Sequence, residues 1–347
     1  MISSGQLKKR RNERSVSIFI AIIPAPLDSG EIAQKKYTIT NHELRNMKLQ
    51  ILGCYAATPR TLTNPTSQVL EIRNHLFLID CGEGTQVQLR KNKIRFSRIN
   101  HIFISHLHGD HFFGLPGLIS TFRLLGRDKE LNVYGPKGIK EAITLLMKLG
   151  DSWTNYQLVF HELKEKRPVL IYEDDKVTVE TIPLDHRVYT NGFLFREKPS
   201  DRKLNVEAVG KYNIDKAYFR NIKSGNDVIL DDGTLVPNEV LTFDPVAPKS
   251  YAYCSDTAYR PELVPQITGV DVLYHESTFL ETEAHLSGKT KHATAKEAAA
   301  IAKAANVGTL ILGHYSTRYK SIDLFKEEAT EIFPEVELAD DGKVFNL

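Results

Sequence analysis

The chain has 347 residues, 41% hydrophobic and 25% charged, with a net charge of +2. That length suits one large domain or two small ones, and the composition is ordinary for a soluble globular enzyme. The charge permits a nucleic-acid partner without arguing for one, so any phosphate-binding surface must be local. No apolar run approaches the ~18 residues that span a membrane.

Cys54, Cys81 and Cys254 are far apart and fit a reducing compartment better than a disulfide scaffold. In the first 46 residues, Lys8, Lys9, Arg10, Arg11 and Arg14 precede a short apolar run at 18–23. That order occurs in signal peptides, but the run is short and Pro24 and Pro26 follow it. The favoured reading is a dispensable N-terminal extension, 1–46, on a cytoplasmic protein, with Met47 as a rival start. Secretion is the alternative.

In chain order, residues 48–52 read as a short strand ending at Gly53, and 54–65 as turn-like. Residues 67–73 and 75–79 are two strands joined at Asn74. Asp80 then opens a glycine-flanked turn, where its carboxylate can position a nearby loop. Residues 85–91 read as a helix. Residues 98–105 carry Ile99, Ile102, Phe103 and Ile104 and read as a buried strand.

The next residues, His106 to His111, hold four potential ligands: His106, His108, Asp110 and His111. Two imidazoles at i and i+2 can point at one ion. The aspartate and third imidazole can turn toward a second ion. Imidazole and carboxylate suit borderline-soft divalent metals.

Residues 115–125 and 139–149 read as helices around a strand at 131–134, which is alternation of the βαβ kind. Short strands follow at 156–162 and 169–172, and a longer one at 176–184 ends in Asp185-His186. The polar interior segment 197–237 interrupts the strand pattern. Within it, Lys211, Lys216, Arg220 and Lys223 interleave with Tyr212, Tyr218 and Phe219. Such a mixture suits RNA contacts on an arm or hairpin, or else a solvated excursion. Further strands are expected at 250–255, 270–274 and 309–312, with helices at 294–306 and 324–333.

Ligand types recur where strands finish: His186, Asp256 and His314 repeat the arrangement of the first motif. Strand-end ligands converge at one edge of layered sheets. The expected grouping is His106, His108 and His186 on one ion, and Asp110, His111 and His314 on a second, with Asp256 shared. Two ions about 3.5–4 Å apart suit phosphodiester hydrolysis. Asp110 can also orient or deprotonate the attacking water. His292 is the candidate general acid, and Glu276 holds its tautomer or orients a ligand. His275 is expected to be structural. His42, His75, His101, His161 and His285 have no motif around them.

The stretch His106-Leu107-His108-Gly109-Asp110-His111 resembles the HxHxDH signature of the metallo-β-lactamase superfamily. FLIDCGEGTQ (77–86), HLHGDHFFGLPGL (106–118), YGPKGI (134–139), HESTF (275–279), His292-Ala293-Thr294 and GHYSTRY (313–319) narrow the resemblance to short-form ribonuclease Z. It implies an α/β fold, the metallo-β-lactamase αββα sandwich of two mixed β-sheets between helical layers, with an inserted protruding arm at about 197–223. The nuclease domain would be 47–347. It further implies two zinc ions per subunit, with manganese also suited to N/O ligands. The expected substrate is precursor tRNA, cut after the discriminator position to leave a 3′-hydroxyl. A homodimer is implied, the arm of one subunit serving the site of the other. This chain departs from the family at Gly53-Cys54-Tyr55 in place of a GTG-like turn, at 247–250, and in an arm without the Gly-Pro pair. The competing readings are a small-molecule phosphodiesterase or arylsulfatase-like hydrolase, and a non-catalytic RNA-binding relative lacking a ligand.

Overall fold

The computed structural model describes residues 47–58 and 61–347. The expected extension 1–46 lies outside the described residues. The first half supplies strands β1 (Lys48–Gly53), β2 (Ser67–Ile72), β3 (His75–Ile79), β4 (Ile99–Phe103), β5 (Leu131–Pro136) and β6 (Leu158–Leu163). Then come β7 (Leu170–Glu173), β8 (Val177–Pro183), β9 (Asn191–Glu197), β10 (Lys203–Leu204), β11 (Val228–Ile229), β12 (Leu235–Val236) and β13 (Thr242–Phe243). The last are β14 (Ser250–Cys254), β15 (Val272–Glu276), β16 (Thr309–Gly313), β17 (Val336–Leu338) and β18 (Val344–Asn346).

Two seven-stranded sheets result, ordered β18-β1-β2-β3-β4-β5-β6 and β17-β16-β15-β14-β9-β8-β7. Both are mixed: β3 to β6 run parallel in the first and β14 to β17 in the second. Phe77, Phe103, Phe193, Phe195 and Tyr251 fill the space between the sheets, with ring centroids 5.4–5.5 Å apart for Phe103 against Phe77, Phe193 and Phe195. Helices Thr85–Lys91, Leu115–Leu124 and Ile139–Leu149 cover the outer face of the first sheet. Ala295–Ala304 and Asp323–Thr330 cover the second. Ala298, Ala299 and Ala302 let the first of these approach its sheet closely, and a Thr294–Glu297 capping box starts it. This is the αββα sandwich the motifs imply.

Strand β9 carried no clear signal in the sequence. It lies between β8 and β14 and is buried on both faces, so Gly192, Phe193, Leu194 and Phe195 form a continuous run without alternation. Its end, Glu197, ion-pairs with Arg73 of the β2–β3 turn at 2.9 Å, tying the sheets together. The polar segment therefore starts later than the composition suggests. Strands β10 to β13 and their short helices gather a separate small core of Ala208, Val209, Ile214, Ile222, Val228, Val236 and Leu241. Lys211, Lys216, Arg220, Lys223 and Tyr218 are exposed on it. Among the described residues no helix is long and apolar enough to cross a membrane.

One histidine outside any motif has a stability role. Burial, with His75 and His161 nearby, pushes the His101 imidazole down to about 4; its ring lies 4.7 Å from that of Tyr172. A histidine so lowered takes up its proton on unfolding, so its contribution is complete above the ordinary value of 6.5 and is lost as pH falls toward 4. His101→Phe should therefore show a smaller loss of melting temperature between pH 7 and pH 5 than the unaltered protein, measured by scanning calorimetry.

Candidate metal centre

Within each sheet the strands carrying chemistry run in one direction. β3 and β4 are parallel in one sheet, and β14, β15 and β16 in the other. β8 matches them because β9 reverses direction twice between it and β14. Their ends therefore deliver Asp80, His106, His186, Asp256, Glu276 and His314 to one edge. The seven expected ligands meet there, and all but His108 are at least nine-tenths buried.

Their inward atoms form two groups. In the first, His108 Nδ1 lies 3.0 Å from His106 Nε2 and 3.3 Å from His186 Nε2. Asp256 Oδ2 is 3.5 and 3.7 Å from those two Nε2 atoms. In the second, Asp110 Oδ2 is 3.4 Å from both His111 Nε2 and His314 Nε2, and Asp256 Oδ1 is 3.3 Å from each. Ligands about 2.0–2.1 Å from a tetrahedral ion stand about 3.3–3.4 Å from one another. These spacings match that edge, and His111 Nε2 and Asp256 Oδ1 are buried with no hydrogen-bond partner. The donor set thus fits a divalent ion in each group, with one oxygen of Asp256 turned to each.

Outer bonds aim these lone pairs. His186 Nδ1 donates to the Lys291 carbonyl and His111 Nδ1 to Asp80 Oδ2, both at 2.8 Å, which leaves each Nε2 bare toward the centre. His314 Nδ1 donates to Thr278 Oγ1 at 2.8 Å, and that hydroxyl donates to Glu276 Oε2 at 2.8 Å. Asp80 also accepts from the Ser105 main chain and hydroxyl and, at 2.6 Å, from the Tyr253 hydroxyl. It is fully buried with φ of 54°, a left-handed conformation stabilised by these four bonds.

Burial, reinforced by His111, pushes His106 well below the ordinary histidine range; burial also lowers His108 and His186. Neutral imidazoles are what metal ligation requires. Burial works against His111 and Asp256 in turn, yet the contacts win. Asp256, Asp110 and Asp80 hold His111 well above its usual range, and His314, His111 and His106 keep Asp256 well below that of a carboxylate. A proton on His111 compensates the charge that a divalent ion would.

His292 stands beside this cluster, its Nδ1 2.8 Å from Glu276 Oε1 and 4.0 Å from Asp256 Oδ2. Burial opposes its charge, but Glu276 pushes it up to about 9. Glu276 thus serves both expected ends: Oε1 holds His292, and Oε2 reaches His314 through Thr278. His275 donates to the Glu276 carbonyl at 2.7 Å, a structural contact. His75, His101 and His161 lie away from the centre, around Tyr134 and Tyr172. The sequence reading missed Thr278, Ser105 and Tyr253; only Thr278 had a signal, inside the HESTF stretch.

A ribonuclease Z of Bacteroides fragilis is 45% identical over 304 residues, covering 88% of this chain and all of that relative. The chain belongs to the ribonuclease Z family. A ribonuclease Z of Bacteroides thetaiotaomicron is 47% identical over 296 residues, covering 85% of this chain and 94% of that one. The crystal structure of human tRNase Z, short form, superposes with a TM-score of 0.63 at 27% identity, covering 86% of this chain and 99% of that one. A family model described as Anti-Pycsar protein Apyc1 matches residues 47–242, so this part of the chain belongs to the family that model describes. That match ends before Asp256, Glu276, His292 and His314, whereas the ribonuclease Z relatives are matched over nearly their full length.

Removing the Asp80 carboxylate frees the His111 ring and the Ser105 turn together. Asp80→Ala should weaken divalent-metal affinity by about 10–100-fold, read by competitive titration with a chromophoric chelator.

Proposed function

We propose that the chain is a metal-dependent endoribonuclease that removes the 3′ trailer of precursor tRNA, cutting after the discriminator nucleotide and leaving a 3′-hydroxyl on the tRNA. The observation that carries this reading is full-length similarity to ribonuclease Z proteins, including the half that holds Asp256, Glu276, His292 and His314. His106, His108, His186 and Asp256 would hold one zinc ion. Asp110, His111, His314 and the other oxygen of Asp256 would hold a second. Five imidazoles and two carboxylates suit zinc, and manganese is accommodated by the same donors. Such ions supply a water of lowered pKa and neutralise charge on the phosphoryl oxygens.

The chain's own groups do the rest. Asp110, held below the carboxylate range by His111 and His314 against the effect of burial, accepts a hydrogen bond from the attacking water and orients it. His292 carries the proton for the leaving oxygen, and Glu276 keeps Nδ1 engaged so that Nε2 is the donating atom. The exposed lysines, arginine and tyrosine of the 203–243 cluster would grip the tRNA backbone and bases away from the cut. We assign the active form to a homodimer in which this arm of one subunit serves the site of the other. Three buried free cysteines support a reducing, cytoplasmic setting.

The second reading, a small-molecule phosphodiesterase, shares the metal chemistry and differs in the arm. With Zn2+ added, the protein should cut a 3′-extended precursor tRNA near the acceptor stem. Hydrolysis of a small bis-aryl phosphodiester without that cut would favour the second reading. Replacing 203–243 by a short linker should abolish tRNA cleavage and leave the small substrate's turnover unchanged. His292→Ala should keep its bound metal and lose about 10²–10⁴-fold in tRNA cleavage rate; its loss with a good aryl leaving group should be far smaller. A chain beginning at Met47 should cleave tRNA as well as the full chain, as the extension is taken to be dispensable.

A further inference from the structure

The turn between β17 and β18 carries two adjacent acids, Asp340 and Asp341, next to Cys54. Their oxygens are spent on the 54–65 loop. Asp341 Oδ2 accepts from the main-chain and side-chain nitrogens of Asn64, each at 2.7 Å. The Cys54 main chain also donates to Asp341. The Tyr55 hydroxyl donates to Asp340 at 3.0 Å.

One end of that loop touches the second ligand group and the other reaches it through Gly82. The Cys54 carbonyl accepts from His314 N at 2.7 Å and from Tyr315 N at 3.3 Å. His314 has φ of 62°, a left-handed conformation that a non-glycine residue keeps only when its surroundings enforce it. At the other end, Pro65 packs against Gly82. A Cβ on Gly82 would lie 2.8 Å from the Pro65 ring and 2.4 Å from the Asp110 carbonyl, so proline, glycine and ligand form one close stack. The first group has no such link: His186 is set by the Lys291 carbonyl and His106 by Ser105.

Local stability does not explain the acid. Burial pushes the Asp341 carboxyl up to about 6, Asp340 adds to this, and Asn64 only partly offsets it. Among the described residues no lysine or arginine lies within ion-pair distance of it. A carboxyl raised in this way loses stability as pH climbs from its unfolded value through 6, the reverse of a salt-bridged acid. An asparagine would avoid that loss while offering one acceptor oxygen in place of two.

We infer that Asp341 is a positioning residue for the second metal position: through Cys54 it fixes His314, and through Asn64 and Pro65 it fixes Asp110. The assignment rests on reading Asp110, His111 and His314 as one metal position. Its test is Zn2+ titration of the metal-free full chain in competition with a chromophoric chelator, for the unaltered protein, Asp341→Asn and Asn64→Ala. Asp341→Asn should melt higher than the unaltered protein at pH 8 when metal-free. It should nevertheless bind the second ion at least about 10-fold more weakly, with the first unchanged. Asn64→Ala should move the second affinity the same way by less. A purely structural role predicts no loss of affinity in a more stable variant. Two ions bound with unaltered affinities by Asp341→Asn and Asn64→Ala would overturn the positioning role alone. Fewer than two ions on the unaltered protein would overturn the two-position reading and this assignment with it.

Discussion

The structure depends on one carboxylate, Asp256, held at 2% exposure between five imidazoles. Taking an ionised carboxyl out of water is costly unless it is compensated by cations or donors. A proton on His111 and the charged ring of His292 offset part of that cost. His186, and His111 when its ring is neutral, commit their Nδ1 hydrogens to the Lys291 carbonyl and to Asp80, so their Nε2 lone pairs then face Asp256. Two sets of lone pairs aimed at each other repel. The arrangement is stable when cations lie between them.

Charge arithmetic leads from that repulsion to chemistry. Asp110 and Asp256 bring −2, and five neutral imidazoles bring nothing. Two divalent ions would bring +4, leaving +2 in a site whose walls are largely dry. In the proposed function that excess would draw in a phosphodiester, which carries one negative charge, and favour a deprotonated water beside it. His292 lies on the rim, where Glu276 keeps it charged without placing a further cation between the ligands. In the proposed reaction Asp110 would orient the attack and His292 would protonate the leaving group; the His292 ring centroid lies 5.3 Å from that of His314, whose Nε2 is 3.4 Å from Asp110.

What could be read in the sequence follows from range. The candidate ligands were legible because four share the loop after β4 and three each end an apolar strand of their own, and the helix Ala295–Ala304 because its cap and alanine face are local. Strand β9 was not, because burial on both faces removes the period of two. β17 and β18 were not, since three residues each give no pattern and their pairing partners lie in β16 and β1, the latter nearly the whole chain away. The same distance hid Asp80's bond to Tyr253 and the contact of Asp341 with Asn64. No spacing rule connects residues separated by 173 or 277 positions.

Residues 203–243 and the ligand cluster are built on different cores, which in the proposed function would separate selection from catalysis. Residues 203–243 enclose their own apolar cluster and join the sandwich only where β9 ends and β14 begins. Changes there would leave the ligand positions in place, because the strand ends that deliver them belong to the two large sheets. The opposite holds for the 54–65 loop and the β17–β18 turn. The loop holds His314 through the Cys54 carbonyl and reaches Asp110 through Pro65 and Gly82, and the turn is bonded to the loop, so variation there would bear on the ligand positions first. The missing Gly-Pro pair would therefore bear, in the proposed function, on how RNA is gripped. Departure at Gly53-Cys54-Tyr55 bears on the metal centre itself: a Cβ at position 53 would lie 1.9 Å from the Pro65 carbonyl oxygen, and the next carbonyl along holds His314.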